Sequence, residues 1–273
     1  MGCDFSSAPS RRKPITLAVG HLDGGRVRLE RMEFFETLDA WAQHLHMPGP
    51  WVGAFDLPFG LPRELVETLG WPTDWTACIA YYARLSRAEI RNIFAAFCAT
   101  RPPGSKLAHR ATDRPAGSSP SMKWVNPPVA FMLHAGVPRL LAAGLHLPGL
   151  CPGDSTRVAL EAYPGLLARS ILGSTSYKSD ERARQTSERL IARRTLIEAL
   201  ETGQAPILQS SGLRLKLRHA QRDLLAADAS GDQLDAVLCL LQAAWAQTQH
   251  DAGHPCYGLP PSDPLEGWIV SAQ

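Results

Sequence analysis

Three stretches near the N-terminus have the apolar character and length of strands, and the last of them alternates apolar and polar positions with a period of two. "MGCDF" (1–5) reads as a short strand, "ITLAVGHL" (15–22) as a second and "RVRLERMEFF" (26–35) as a third. Asp23-Gly24-Gly25, between the second and third, is a hairpin turn signal, because glycine supplies the positive φ that a tight turn needs. The pattern then predicts a helix over "ETLDAWAQHL" (36–45). "PWVGAFD" (50–56) is a short apolar run bounded by proline and acid, as expected of a buried central strand.

From Leu57 to about Ser155 the periodicity turns helical and broken. "RELVETL", "DWTACIAYYARL" and "RAEIRNIFAAFCA" predict helices. Residues 101–124 carry Pro, Gly, Ser and cations without a period, and a loop of that length in a compact domain is usually functional or disordered. "VAFMLHAGVPRLLAAG" predicts a helix that Pro138 should kink or divide. "RVALEAY" (157–163) returns to strand, and "PGLLARSIL" follows as a helix with Pro in its first turn. Three more helices are expected: 180–201, rich in arginine; "LRLKLRHAQRDLLAA" (213–227); and 232–248. Strands that meander and then alternate with helices predict an α/β fold, a mixed sheet with helices on its faces.

Composition adds bounds. The 273 residues are 45% hydrophobic and 20% charged, with a net charge of +2. Bulk charge therefore advertises neither nucleic-acid nor membrane binding, and any basic surface has to be local. The six cysteines form no Cys-x-x-Cys pair, which argues against a zinc ribbon and for reduced thiols in a cytoplasmic protein. No run approaches the ~18 apolar residues of a membrane span. "MGCDFSS" matches a myristoylation pattern superficially, but also reads as the first core strand.

Candidate chemistry lies in acids at the ends of apolar segments. Asp4 sits in the first strand, Asp56 ends the fourth and Glu161 ends the fifth. Asp232 and Asp235 stand where the greasy last helix begins. Capping explains such a pair in the simplest way, with Asp232 as N-cap and Asp235 at N3. Alternatively, positions i and i+3 share one helix face, so both carboxylates can aim at one cation. Carboxylates that converge in a half-buried pocket repel one another, and hard divalent ions such as Mg²⁺ or Mn²⁺ relieve this. Two such ions ~4 Å apart activate water and stabilise the leaving oxygen in phosphodiester cleavage.

The segments "GCDFSSAP", "VGAFDLPFGLP", "LEAYPG", "SYKSD", "GDQLDA" and "EGWIV" resemble, in order and spacing, the family titled domain of unknown function 429. The similarity runs from Asp4 to Trp268. That family is described as nucleases of RNase H-like fold. The resemblance implies a single domain over 1–273 with a mixed five-stranded sheet flanked by helices, and a large helical insertion at 57–155. It further implies a metal-dependent nuclease or related phosphoryl-transfer hydrolase, with nucleic acid as partner and Mg²⁺ or Mn²⁺ as cofactor. Asp4, Asp56, Glu161, Asp232 and Asp235 would be the metal ligands. The last two match the acidic pair that Holliday-junction resolvases carry on their final helix. The catalytic set would be Asp4, Asp56, Glu161, Asp235 and Lys178. Lys178, and Arg110 with Asp113, are candidates to meet phosphates. "SRRK" (10–13) and "LRLKLRH" (213–219) read as solvated faces, without the aromatic interleaving of a single-strand stacking platform.

Two other readings stay open. An actin-like phosphotransferase needs a glycine-rich phosphate loop after the first strand, and "SSAPSRRK" has no glycine. A non-catalytic binding or scaffold protein on the same fold needs no metal at all.

Overall fold

The computed structural model describes residues 1–272. Its centre is a seven-stranded mixed sheet in the order β5-β6-β4-β1-β2-β3-β7. Strands β1 (Gly2–Asp4), β2 (Ile15–Asp23) and β3 (Arg26–Phe35) form the expected antiparallel meander. Strand β4 (Trp51–Asp56) lies parallel to β1, and β6 (Asp154–Glu161) parallel to β4.

The count of seven, against the expected five, comes from two short edge strands. β5 (Leu145–His146) is two residues long. β7 (Arg214–Lys216) falls where the sequence predicts helix. Leu215 is its one buried residue, between exposed Arg214 and Lys216, and Arg214 N–H donates to the Gly25 carbonyl. The open edge of β3 recruits this segment because an unpaired strand edge needs partners. Its Arg, Leu and Lys all favour helix in isolation, which hides the strand.

The pleat divides the core in two. Cys3, Phe5, Ile15, Leu17, Phe55 and Leu57 face one side. There they join α1 (Leu38–His44), α2 (Arg63–Thr68), α3 (Trp75–Arg84), α4 (Arg87–Ala99) and α6 (Val129–Ala142), while the single turn α5 (Asp113–Ala116) packs through Ala116 in a small separate cluster with Ile269 and Ala272. The aperiodic 101–124 stretch thus holds one helical turn. Helix α6 runs on through Pro138 without dividing, because Ala135, Val137 and Leu140 are buried on both sides of the proline.

Ala18, Val27, Leu29, Ala54, Val158 and Leu160 face the other side. They are covered by α7 (Pro164–Leu172), α8 (Ser187–Thr202), α9 (Pro206–Ser211), α10 (His219–Ala227) and α11 (Asp232–Asp251). Helix α8 starts at Ser187, not at residue 180. Residues 180–187 are all exposed and contain only a 3₁₀ turn at Arg182–Arg184. With no apolar stripe to bury, that stretch lacks the packing that stabilises helices in proteins.

Helix α11 fixes the geometry of the site. It lies across β1, β2 and β4 and buries every residue from Leu234 to Ala246. Each leucine so buried contributes about 1.5–3 kcal/mol. Gly2 permits the approach, since a Cβ there would run into the backbone of Ala236 and Leu240. The helix therefore meets the sheet backbone to backbone at the strand that carries Asp4. All six cysteines are free. No helix among the described residues is long and apolar enough to cross a membrane.

Candidate functional site

Asp4 and Asp56 are in-register partners on the parallel pair β1 and β4. Residues paired in register share a sheet face, so both carboxylates leave toward α11. Gly2, two residues before Asp4 on that face, touches α11 at Ala236. Asp235 is the residue before it, and Asp232 begins the helix. Three segments distant in sequence thus bring Asp4, Asp56, Asp232 and Asp235 to one end of the sheet.

The capping expectation for the helical pair is not met. The N-cap is Gly231 at φ 79°, and no side chain caps α11. Asp228 serves the helix start instead, accepting from Gln233 N–H at 2.9 Å. Asp235 is fully buried, accepting from the Tyr177 hydroxyl through Oδ1 and from the Lys178 ammonium through Oδ2.

The chain at 177–179 is strapped in place to do this. Arg193 donates to the Tyr177 carbonyl (2.8 Å) and to the Ala226 carbonyl (2.7 Å). Arg189 donates to the Lys178 carbonyl (2.8 Å), and Ser179 N–H to Ala229 (3.1 Å). Lys178 packs directly over Gly231, where any Cβ would meet its side chain. Tyr177 lies inside the "SYKSD" segment but was given no role from sequence, and the straps were not foreseen. The one available signal was the adjacency of Tyr177 and Lys178 in a polar loop.

The cluster has more negative than positive charge. Asp4, Asp56 and Asp232 are half-buried and accept no side-chain hydrogen bond or ion pair among the described residues. Burial, then Asp235, pushes the Asp4 pKa well above the usual carboxylate range. The same two causes, in that order, raise Asp56 to about 7. Burial raises Asp232 as well, against the pull of Lys13. Burial opposes the charge on Lys178, yet Asp235 and its neighbours hold it protonated far into the alkaline range.

These shifts have a sign that can be measured. A carboxyl whose folded pKa lies above its unfolded value takes up a proton on folding. It favours the fold below its unfolded pKa, and that contribution is lost as pH rises toward the folded value. Asp56→Asn should therefore stabilise the metal-free protein by about 1–2 kcal/mol at pH 8, after discounting the shift for solvent screening of a half-buried group. At pH 4 the gain should vanish. Urea denaturation in EDTA at the two pH values reads this directly, and a variant less stable than wild type at pH 8 contradicts it.

Glu161 takes a different place from the one expected. It is in register with Phe55, so it leaves the opposite face of the sheet from Asp4 and Asp56. It is buried, and both its oxygens are engaged. Arg110 donates to Oε1 (2.6 Å) and Oε2 (2.8 Å), and Phe59 N–H to Oε2 (2.9 Å). Arg110 spends its remaining donors on Asp113 (3.1 and 2.9 Å) and on the Glu266 carbonyl (3.0 Å). With all five donors of its guanidinium used, Arg110 has none for a phosphate. Arg110 and Asp113, 2% and 1% exposed, belong to a buried latch. It ties residues 110–118 to β6 and to the C-terminal segment, where Ile269 N–H also donates to Thr112 Oγ1 at 3.0 Å.

Two contiguous cavities open onto the acids. One of about 540 Å³ is lined by Asp4, Lys13, Asp56, Lys178 and Asp232. The other, about 330 Å³, is lined by Asp56, Arg110, Met132, Glu161, Tyr163 and Lys178. Both are in the size range of small-ligand sites. The donor set is all hard oxygen, as Mg²⁺ or Mn²⁺ requires. As the side chains stand, no three His, Cys, Asp or Glu among the described residues converge closely enough to hold a metal ion. The Lys178 ammonium occupies Asp235 instead.

Against known proteins, the family described as "Protein of unknown function (DUF429)" matches residues 2–261. No curated protein and no solved structure is significantly similar to the chain.

Proposed function

Within the DUF429 family, to which this chain belongs, we propose a divalent-metal-dependent phosphodiester hydrolase, a nuclease of RNase H-like architecture. The strand order supports that architecture: a three-strand meander, then β4 parallel to β1 and β6 parallel to β4. On this reading the short strands β5 and β7 are additions to a five-stranded centre, and residues 57–155 are an insertion that walls the cleft.

The observation that carries the activity is the in-register pair Asp4 and Asp56 beneath Asp232 and Asp235, with one ammonium to offset them. With Asp4, Asp56 and Asp232 held above the usual carboxylate range, the cluster is short of positive charge, and a dication supplies it. Asp4, Asp56, Asp232 and Asp235 would hold Mg²⁺ or Mn²⁺. Such an ion, when bound, lowers the pKa of a water molecule and stabilises the departing oxygen.

The protein's own groups have separate tasks. Tyr177 orients Asp235 through its hydroxyl. Lys178 lines both cavities, where its ammonium meets a phosphate oxygen as the scissile group enters. Glu161 acts as a positioning residue through the Arg110 latch. The half-buried floor keeps bulk water from the acids, which strengthens every charge interaction there.

The Lys178–Asp235 ion pair favours one other reading, a binding protein whose acids are neutralised internally. A single preparation separates the two. With Mg²⁺ or Mn²⁺ the hydrolase raises its melting temperature and cleaves single-stranded, duplex or branched oligonucleotides, and EDTA abolishes both effects. A chain that neither shifts nor cleaves is the binding protein.

A further inference from the structure

The near-neutral chain carries a concentrated basic lip beside this cleft. Ser10 and Lys13 exchange backbone hydrogen bonds (3.0 and 3.1 Å), which leaves Arg11 and Arg12 at the tip of a two-residue turn. Lys13 lines the larger cavity and reaches across to Asp180 at 2.7 Å. That contact joins the turn to the segment running from Lys178 into the first turn of α8 at Arg189. The two segments, 10–13 and 178–189, hold seven Lys or Arg against three acids. Their surplus of four positive charges is twice the net charge of the whole protein. Arg11, Arg12 and Arg182 are exposed and have no carboxylate partner among the described residues.

We propose that this lip is a phosphate-backbone track that feeds a single-stranded nucleic acid into the cleft. Phosphate contacts position a strand without reading its sequence, and unpaired arginines are suited to them. Single strands fit better than duplexes because the acids lie half-buried in a cavity of about 540 Å³ whose lining also includes Pro127, Pro128 and Met132. A cavity of that volume has room for one extruded nucleotide and not for a base-paired helix. Phosphates held on the lip place the next one over Lys178 and Asp4. The basic stretch at 10–13, which reads as a solvated face in sequence, thereby gains a partner.

The proposal rests on the hydrolase reading for what happens to the strand, but its test needs no metal. A fluorescent 20-nucleotide single strand is titrated with protein in EDTA across a salt series, beside the same sequence as duplex and vesicles containing phosphatidylserine. Wild type should bind the single strand most tightly. The triple variant Arg11→Ala/Arg12→Ala/Arg182→Ala should bind about tenfold more weakly at low salt. Its log–log salt slope should be shallower by roughly 2, at about 0.7 per lost single-strand contact. The corresponding triple lysine variant keeps the charge and should restore most of the affinity, with an unchanged melting temperature for both variants. Equal binding by the alanine variant, stronger binding to duplex, or binding to vesicles alone overturns the track. Single-strand binding that depends on the lip, in a protein showing no metal-dependent cleavage, upholds the track and removes the hydrolase.

Discussion

Asp4→Asn should lower metal-dependent phosphodiester cleavage by more than ~100-fold while leaving the metal-free protein folded. The amide keeps the shape of the side chain and removes its charge. Asp4 shares the sheet face with Asp56 and lies under α11, so no neighbouring carboxylate can take its place without moving a strand. Loss of an outer partner of a metal ligand already costs ~10–100-fold in affinity or activity, and a direct ligand costs more. The metal-induced rise in melting temperature should shrink with the activity, since both depend on the same bound ion. In EDTA the variant should be at least as stable as wild type at pH 8, because the carboxyl it replaces is held there against burial and Asp235. A variant that retains most of its cleavage and its metal-dependent thermal shift removes Asp4 from the site.

Arg110→Ala should produce the largest loss of stability of any single substitution in the latch, about 3–5 kcal/mol. Removing one partner of a buried ion pair leaves the other charge uncompensated, which costs far more than the pair itself contributes. Here two buried carboxylates are stranded together, Glu161 and Asp113, 3% and 1% exposed. The Glu266 carboxylate does not touch the guanidinium, which meets only that residue's carbonyl, so the charge imbalance falls on Glu161 and Asp113. The sign with pH follows. Burial already raises the Glu161 pKa and Arg110 pulls it down, so without the guanidinium Glu161 resists ionisation further, and the loss is greatest at pH 8 and shrinks as pH falls toward 5. Denaturant midpoints for wild type and variant at those two pH values read it. A pH-independent deficit below about 1 kcal/mol would mean that the latch is not held by charge.

The two substitutions also separate the sequence's legible features from its hidden ones. Asp4, Asp56 and Asp235 were readable because each interrupts or ends an apolar stretch, where an unpaired charge is costly. Short apolar stretches, the third of them alternating, placed β1 to β4 to within a residue or two. The latch was not readable: Arg110 and Glu161 lie 51 positions apart, and nothing local marks either as the other's partner. Strand alternation names the face a residue leaves only once register is known, so Glu161 looked equivalent to Asp56 while it points to the opposite core. Strand β7 was hidden because edge pairing with β3, a contact distant in sequence, overrides the helix propensity of Arg-Leu-Lys. Gly2 gave no local signal either, since the demand for a missing Cβ comes from α11, more than two hundred residues away.

A crystal soaked in Mn²⁺ and measured at the manganese absorption edge puts the central claim to its sharpest test. Anomalous density should appear between Asp4, Asp56 and Asp235, about 2.2 Å from carboxylate oxygens, with the Lys178 ammonium drawn away from Asp235. An anomalous map with no peak there, and Lys178 still bound to Asp235, would contradict it.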